Sequence, residues 1–148
     1  MDKAEELEKM IDHSVFQPTT TDEDLKRGCE VAIKYNVASV WAKPDMVPLA
    51  INQLKDNNVL VGRVIGFFAR NSTTEAKVIE TEKACKDGAV EIDLVINISK
   101  ALQGDWDYVD KEIDAVTQAC HKNGAIVKVM RDCLPFKRQD PPSVVAQH

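Results

Sequence analysis

Residues 84–98 read Ala-Cys-Lys-Asp-Gly-Ala-Val-Glu-Ile-Asp-Leu-Val-Ile-Asn-Ile. Gly88 is well placed to close a helix, and a strand begins almost at once. In that strand Ile92, Leu94, Ile96 and Ile98 alternate with Glu91, Asp93, Val95 and Asn97. Strand side chains point alternately to opposite faces, so one face is apolar and the other carries an acid in mid-strand. Asp is depleted from strands, and a carboxylate among Gly, Ala and Ile needs partners or a chemical task. Two readings stay open for Asp93. It fixes a hydrogen-bond network or pairs a lysine, or it belongs to an active site.

The same strand-then-helix unit recurs on both sides of this stretch. Residues 11–16 form a first strand with Asp12, Ser14 and Phe16 on one face, after a short amphipathic helix carrying Leu7 and Met10. Thr21 and Asp24 have the spacing of a capping box, opening a helix to about Tyr35 with Leu25, Cys29, Ala32 and Ile33 inward. Residues 37–43 form the next strand, with Ser39, Trp41 and Lys43 sharing a face. Pro44 stops it, and Asp45 is placed to cap a helix from Met46 to about Lys55. Residues 60–67 are a third strand. Ser72-Thr73-Thr74-Glu75 reads as a capping box for a helix to about Lys86. After the opening stretch, Gly104 and Asp105 precede a helix from Trp106 to about Lys122, with Val109, Ile113, Val116 and Cys120 inward. Gly124 closes it, and residues 125–130 are a fifth strand with Ile126, Lys128 and Met130 on one face.

Strand starts near 11, 37, 61, 90 and 125 are spaced like βαβ steps, which implies an all-parallel α/β sheet with right-handed crossovers. Two architectures fit: a five-stranded doubly wound sheet, flavodoxin-like with order 2-1-3-4-5 and a ligand at its switch point, or part of a TIM (β/α)8 barrel. Central strands of a doubly wound sheet are apolar on both faces. Here one face repeatedly carries polar groups: Asp12, Ser14, Ser39, Lys43, Asp93, Asn97 and Lys128. Barrel strands have this character where the lumen is polar near the active-site end, so the reading favours a partial barrel of about five units out of eight. Residues 1–132 are assigned to that domain. Residues 133–148, with three prolines from Leu134 onward and no apolar period, are expected to be an irregular tail.

Composition bounds the function. The chain has 148 residues and a net charge of −5, with acids and bases mixed along the helices as on solvated faces. That balance argues against nucleic-acid and anionic-membrane partners. No apolar run reaches the roughly 20 residues of a membrane span, and the acidic start is unlike a signal peptide. Cys29, Cys85, Cys120 and Cys133 show no zinc or redox spacing, and His13, His121 and His148 share no metal-ligand spacing. A cytoplasmic location with reduced thiols and no cofactor is expected. No glycine-rich phosphate loop, Gly-x-Ser-x-Gly elbow or His-Glu-x-x-His helix occurs.

Asp93, Lys128 and Lys43 are the constellation with chemical potential. Desolvation lowers a lysine's pKa, a neutral lysine attacks carbonyls to form a Schiff base, and a nearby carboxylate can move the protons. The bland alternative is a buried Asp93–Lys128 ion pair between neighbouring strands.

The chain resembles the deoxyribose-phosphate aldolase family. The matching segments are Ile11-Asp12-His13-Ser14, Ala38-Ser39-Val40-Trp41 through Pro44, Val47-Pro48-Leu49-Ala50, Val64-Ile65-Gly66-Phe67 and Thr73-Thr74-Glu75-Ala76-Lys77. The most specific is Asp87 through Ile98, followed by Gly104-Asp105 and Val127-Lys128-Val129. The resemblance covers about residues 6–130. It implies a (β/α)8 barrel that reversibly cleaves 2-deoxy-D-ribose 5-phosphate to D-glyceraldehyde 3-phosphate and acetaldehyde through a lysine Schiff base, without a metal. It further implies Asp93 as the proton-relay carboxylate on the fourth strand, Lys128 as the fifth-strand lysine beside it, and Asp12 and Ser14 near the substrate hydroxyls. Trp41 stands where many members have Cys, Ser14 where Thr is commoner, and Phe68-Ala69-Arg70 where many have Pro-Leu-Gly. The family's Schiff-base lysine lies on the sixth strand, a further lysine on the seventh, and phosphate loops follow the seventh and eighth. The sequence ends before these positions, so the expectation is a C-terminally truncated member lacking turnover. The alternative is a non-catalytic half-barrel that forms homo-oligomers, or pairs with a full-length relative, through exposed edge strands.

Overall fold

The computed structural model describes residues 3–67 and 71–131. The expected tail at 133–148, Cys133 and the Phe68-Ala69-Arg70 departure lie outside the described residues, as does the domain boundary at 132. In chain order the elements are α1 (Lys3–Glu8), β1 (Asp12–Val15), α2 (Asp22–Lys34), β2 (Ser39–Ala42), a 3-10 turn (Pro44–Met46), α3 (Val47–Leu54), β3 (Leu60–Ile65), α4 (Thr74–Lys86), β4 (Glu91–Val95), α5 (Ile98–Gln103), α6 (Trp106–Lys122) and β5 (Ile126–Met130).

The five strands form one parallel sheet in the order β1-β2-β3-β4-β5. Every crossover therefore adds its strand on the same side of the last. A doubly wound sheet reverses direction at a switch point, and this one does not. Curvature completes the distinction. On a flat sheet β1 and β5 would lie four strand spacings apart, about 19 Å. Instead Lys128 Nζ on β5 reaches Asp12 Oδ2 on β1 at 2.8 Å across the concave side. A sheet that curls this far while running in sequence order is a segment of a (β/α)8 barrel.

The apolar core lies on the convex side, between strands and helices. Val40, Val61, Ile65, Ile92 and Leu94 meet Leu25, Cys29, Ala50, Ala84 and Val116, all buried. Helix α2 starts at the expected capping box: Thr21 Oγ1 accepts from Asp24 N, and Asp24 Oδ2 accepts from Thr21 N. Gly88, at φ +107°, supplies the left-handed residue after α4. Cys29, Cys85 and Cys120 are free thiols packed in α2, α4 and α6, and burial pushes the Cys29 thiol up to about 11 and that of Cys120 to about 12.

Several local expectations need correction. Strand β4 ends at Val95, not Ile98. Asn97 leaves the strand face and caps α5, its Oδ1 accepting from Lys100 N at 3.2 Å. Alternation concealed this helix because Ile96 and Ile98 continue the apolar rhythm across the turn. The capping residue of α4 is Thr73, whose Oγ1 accepts from Ala76 N, so the Ser72–Glu75 box does not form. Asp45 sits inside the 3-10 turn and caps nothing; α3 starts without a side-chain cap. In α2 the inward position beside Cys29 is Gly28, while Ile33 is 36% exposed. Leu7 and Met10 are exposed rather than packed. Not every helical charge is solvated either, since Lys77 on α4 and Glu112 on α6 are fully buried.

Candidate active site

The concave face gathers the polar positions that period-two reading placed there. Asp12 and Ser14 come from β1, Ser39 and Trp41 from β2, Glu91 and Asp93 from β4, and Lys128 from β5. Register sets their heights: Trp41 pairs with Gly62, Gly62 with Glu91, and Asp93 with Lys128. Gly62 is required by this packing, because a Cβ there would lie 2.7 Å from Trp41 Cε2 and Cζ2. The buried indole packs directly against Gly62. It donates from Nε1 to Ser39 Oγ at 2.8 Å, and Ser39 Oγ donates onward to Asp12 Oδ1 at 2.5 Å.

Lys128 stands over this platform, its Nζ 4.8 Å from the Trp41 ring centre. It donates to Asp12 Oδ2 at 2.8 Å and lies 3.5 Å from Glu91 Oε2. These, and not Asp93, are its ion-pair partners among the described residues. The expected Asp93–Lys128 pair is thus corrected. Asp93 and Lys128 are side by side in register, but the long lysine chain extends past the short aspartate toward β1. Asp93 Oδ1 is left buried without a hydrogen-bond partner among the described residues.

The electrostatics follow from this geometry. Burial pushes the Asp93 carboxyl up to about 6; Lys128 pulls it down, while Asp12 and Glu91 push it further up. Burial also acts to lower the Lys128 pKa, but the hydrogen bond to Asp12 and the charges of Glu91 and Asp93 outweigh it, so the ammonium is favoured. The desolvated, neutral, nucleophilic Lys128 of the sequence argument is therefore corrected: it is half-exposed and ringed by acids. Burial opposes ionisation of Asp12, and the hydrogen bonds from Lys128, Ser39 and Trp41 prevail, holding its pKa below the ordinary value.

Ser14 lies on the same face, exposed, outside this network. Lys43 is not brought to Asp93. Its Nζ donates to Thr20 O at 3.0 Å, beside a cavity of about 300 Å³ lined by Phe16, Arg63, Phe67, Ser72 and Glu80 among the described residues. Burial drives the Arg63 pKa down, against the charges of Glu80, Asp87 and Asp45. Glu91 and Ser39 were not candidates from sequence. The signal for both was present, since each alternates onto the face of Asp93 or Trp41. Among the described residues no cluster of three or more His, Cys, Asp or Glu is arranged to hold a metal ion.

The DeoC/LacD family aldolase model matches residues 1–135. The chain belongs to the DeoC/LacD aldolase family. Deoxyribose-phosphate aldolase of Treponema denticola is 43% identical over 141 residues, covering 95% of this chain and 65% of that protein. A solved structure from Coccidioides immitis, a candidate deoxyribose-phosphate aldolase, superposes at a TM-score of 0.81 with 31% identity, covering 86% of this chain and 50% of that one. The tetrameric deoxyribose phosphate aldolase of Aeropyrum pernix superposes at 0.77 with 25% identity, covering 86% and 53%. The chain spans between 52% and 65% of the length of the curated relatives it matches. In this aldolase-family chain the concave polar face is the candidate site. Among its described residues no helix is long and apolar enough to cross a membrane.

Proposed function

We propose that this chain provides the proton-relay half of a Schiff-base aldolase site for 2-deoxy-D-ribose 5-phosphate. The reaction is reversible cleavage to D-glyceraldehyde 3-phosphate and acetaldehyde. The observation that carries the reading is Asp93, a concave-face carboxyl whose buried Oδ1 has no hydrogen-bond partner among the described residues, beside a lysine engaged elsewhere. A carboxyl with a pKa of about 6 can both give and take a proton near neutral pH. In this reading Asp93 is the relay. Lys128 supplies positive charge beside it, and Asp12 and Ser14 meet substrate hydroxyls. Neither Lys128, held as an ammonium, nor Lys43, bonded to Thr20, is the Schiff-base nucleophile. The experiment is a titration of the isotope-labelled chain with 2-deoxyribose 5-phosphate, followed by acetaldehyde and borohydride. Resonances of Asp12, Asp93 and Lys128 should shift, and no lysine of the chain should be trapped. Absence of the shifts, or an adduct on Lys128 or Lys43, overturns the assignment.

The sheet edges support a second reading, a non-catalytic half-barrel that pairs with a second copy or a longer relative. Among the described residues β1 and β5 each have a strand neighbour on one side, and Ile126 and Met130 on β5 are 54% and 38% exposed. Light scattering tests it, and a clean monomer at high concentration overturns it.

A further inference from the structure

The least expected feature of the fold is a buried ion pair outside the concave face. Lys77 on α4 and Glu112 on α6 are both fully excluded from solvent, with Nζ and Oε1 2.7 Å apart. Each side chain has a second bond, and both go to backbone at one corner. Lys77 Nζ donates to Val95 O, the last carbonyl of β4, at 2.9 Å. Asn97 N, the backbone amide two residues on, donates to Glu112 Oε2 at 2.8 Å. Asn97 in turn caps α5.

Neighbouring groups make room for this arrangement. Gly66, at φ +70°, follows β3, and a Cβ there would lie 2.8 Å from Lys77 Cε. Its N–H donates to Glu80 Oε2 on α4 at 3.2 Å. Thr81 Oγ1 donates to Lys77 O at 2.8 Å. The carboxyl ends of β3 and β4 are thus both tied to α4, and β4 also to α6.

Buried ion pairs are weak devices for stability, because apolar side chains of similar volume often replace them without loss. What apolar side chains cannot do is bond the Val95 carbonyl and the Asn97 amide, which are buried groups that need partners. We propose that Lys77 and Glu112 are positioning residues: together they fix the β4–α5 corner, and through it the place of Asp93 two residues before Val95. The proposal rests on the relay reading for why the place of Asp93 matters.

The test is the double substitution Lys77→Met with Glu112→Leu, compared with the parent chain by amide exchange and by carboxyl titration. The double variant should fold and should melt above either single substitution, each of which leaves one buried charge without its partner. Exchange of the Asn97 amide should nonetheless accelerate at least ten-fold. The Asp93 midpoint, which Lys128, Asp12 and Glu91 also face, should fall from about 6 toward the ordinary carboxylate range as water enters. A folded double variant with parental Asn97 exchange and parental Asp93 titration overturns the proposal. If the double variant does not fold, the parent decides. An Asn97 amide as protected as those of β4 supports the clamp, and one exchanging as fast as α1 sinks it. Both readouts are independent of turnover, so failure of the aldolase reading and failure of this one are separately visible.

Discussion

Lys128 on β5 and Asp12 on β1 meet at 2.8 Å, although three strands of the sheet lie between theirs. That contact is the signature of barrel curvature, and it also decides the electrostatics of the site. By taking Asp12 as its hydrogen-bonded partner, Lys128 leaves Asp93 near a positive charge but without a bond to it.

Removing Lys128 should therefore act on two carboxylates at once. In Lys128→Met the Asp12 midpoint should rise toward its ordinary value, and the Asp93 midpoint should climb above about 6, because Lys128 opposes the burial effect at both. The pair is roughly two-fifths exposed on each side, so the stability cost should be only about 0.5–1 kcal/mol. Carboxyl titration by NMR checks both midpoints. An unmoved Asp93 would show that the lysine does not govern it.

Asp93 also predicts a pH dependence of stability. Its folded pKa of about 6 lies above the ordinary aspartate value of 3.8, so the folded chain binds more protons between these values. Stability contributed by this group is greatest below about pH 4 and declines as pH rises to about 6. The ceiling is about 3 kcal/mol, reduced by whatever solvent reaches the partly exposed carboxyl. Asp93→Asn should lose this slope and be more stable than the parent at pH 7, where the parent carries a buried charge. Denaturant unfolding of both chains at pH 4.5 and 7 measures the difference. Equal slopes would count against it.

Glu112→Ala on its own should be among the most damaging single changes. It leaves the Lys77 ammonium buried without its counter-charge and the Asn97 amide without its acceptor. Breaking such a pair costs about 3–5 kcal/mol, a large share of a typical domain's stability. A thermal midpoint within two or three degrees of the parent would show that the corner can repack.

Gly62→Ala tests the Trp41 platform. The new methyl would lie 2.7 Å from the indole ring, so the ring must tilt or the strands must part. Overpacking of this kind costs about 1–3 kcal/mol. Trp41 fluorescence should shift, and the Ser39–Trp41 hydrogen bond should weaken. Parental stability with unchanged fluorescence would mean that the ring is less confined than its burial implies.

Much of the molecule is legible along the chain. The five strands, the Thr21–Asp24 cap of α2, the four apolar positions of α6 and the closing role of Gly88 all follow from local chemistry within a few residues. Period-two alternation also sorted Asp12, Ser39, Trp41, Asp93 and Lys128 onto their common face. It failed where two periodicities overlap: Ile96 and Ile98 continue the apolar rhythm of β4 into α5, and only Asn97, a good capping residue, marked the change.

What the sequence by itself determined is the order of units, the common face of Asp12, Ser39, Trp41, Asp93 and Lys128, and the family to which the chain belongs. What only the tertiary structure decided is partnership. Lys77 and Glu112 are ordinary helical charges in sequence, 35 positions apart, and become a buried pair because α4 and α6 pack side by side over the end of β4. Lys128 pairs with Asp12 rather than its in-register neighbour Asp93 because the sheet curls, and curvature belongs to five strands together. Local pattern fixes which way a side chain points. How far the next charge lies from its tip depends on the closure of the whole sheet.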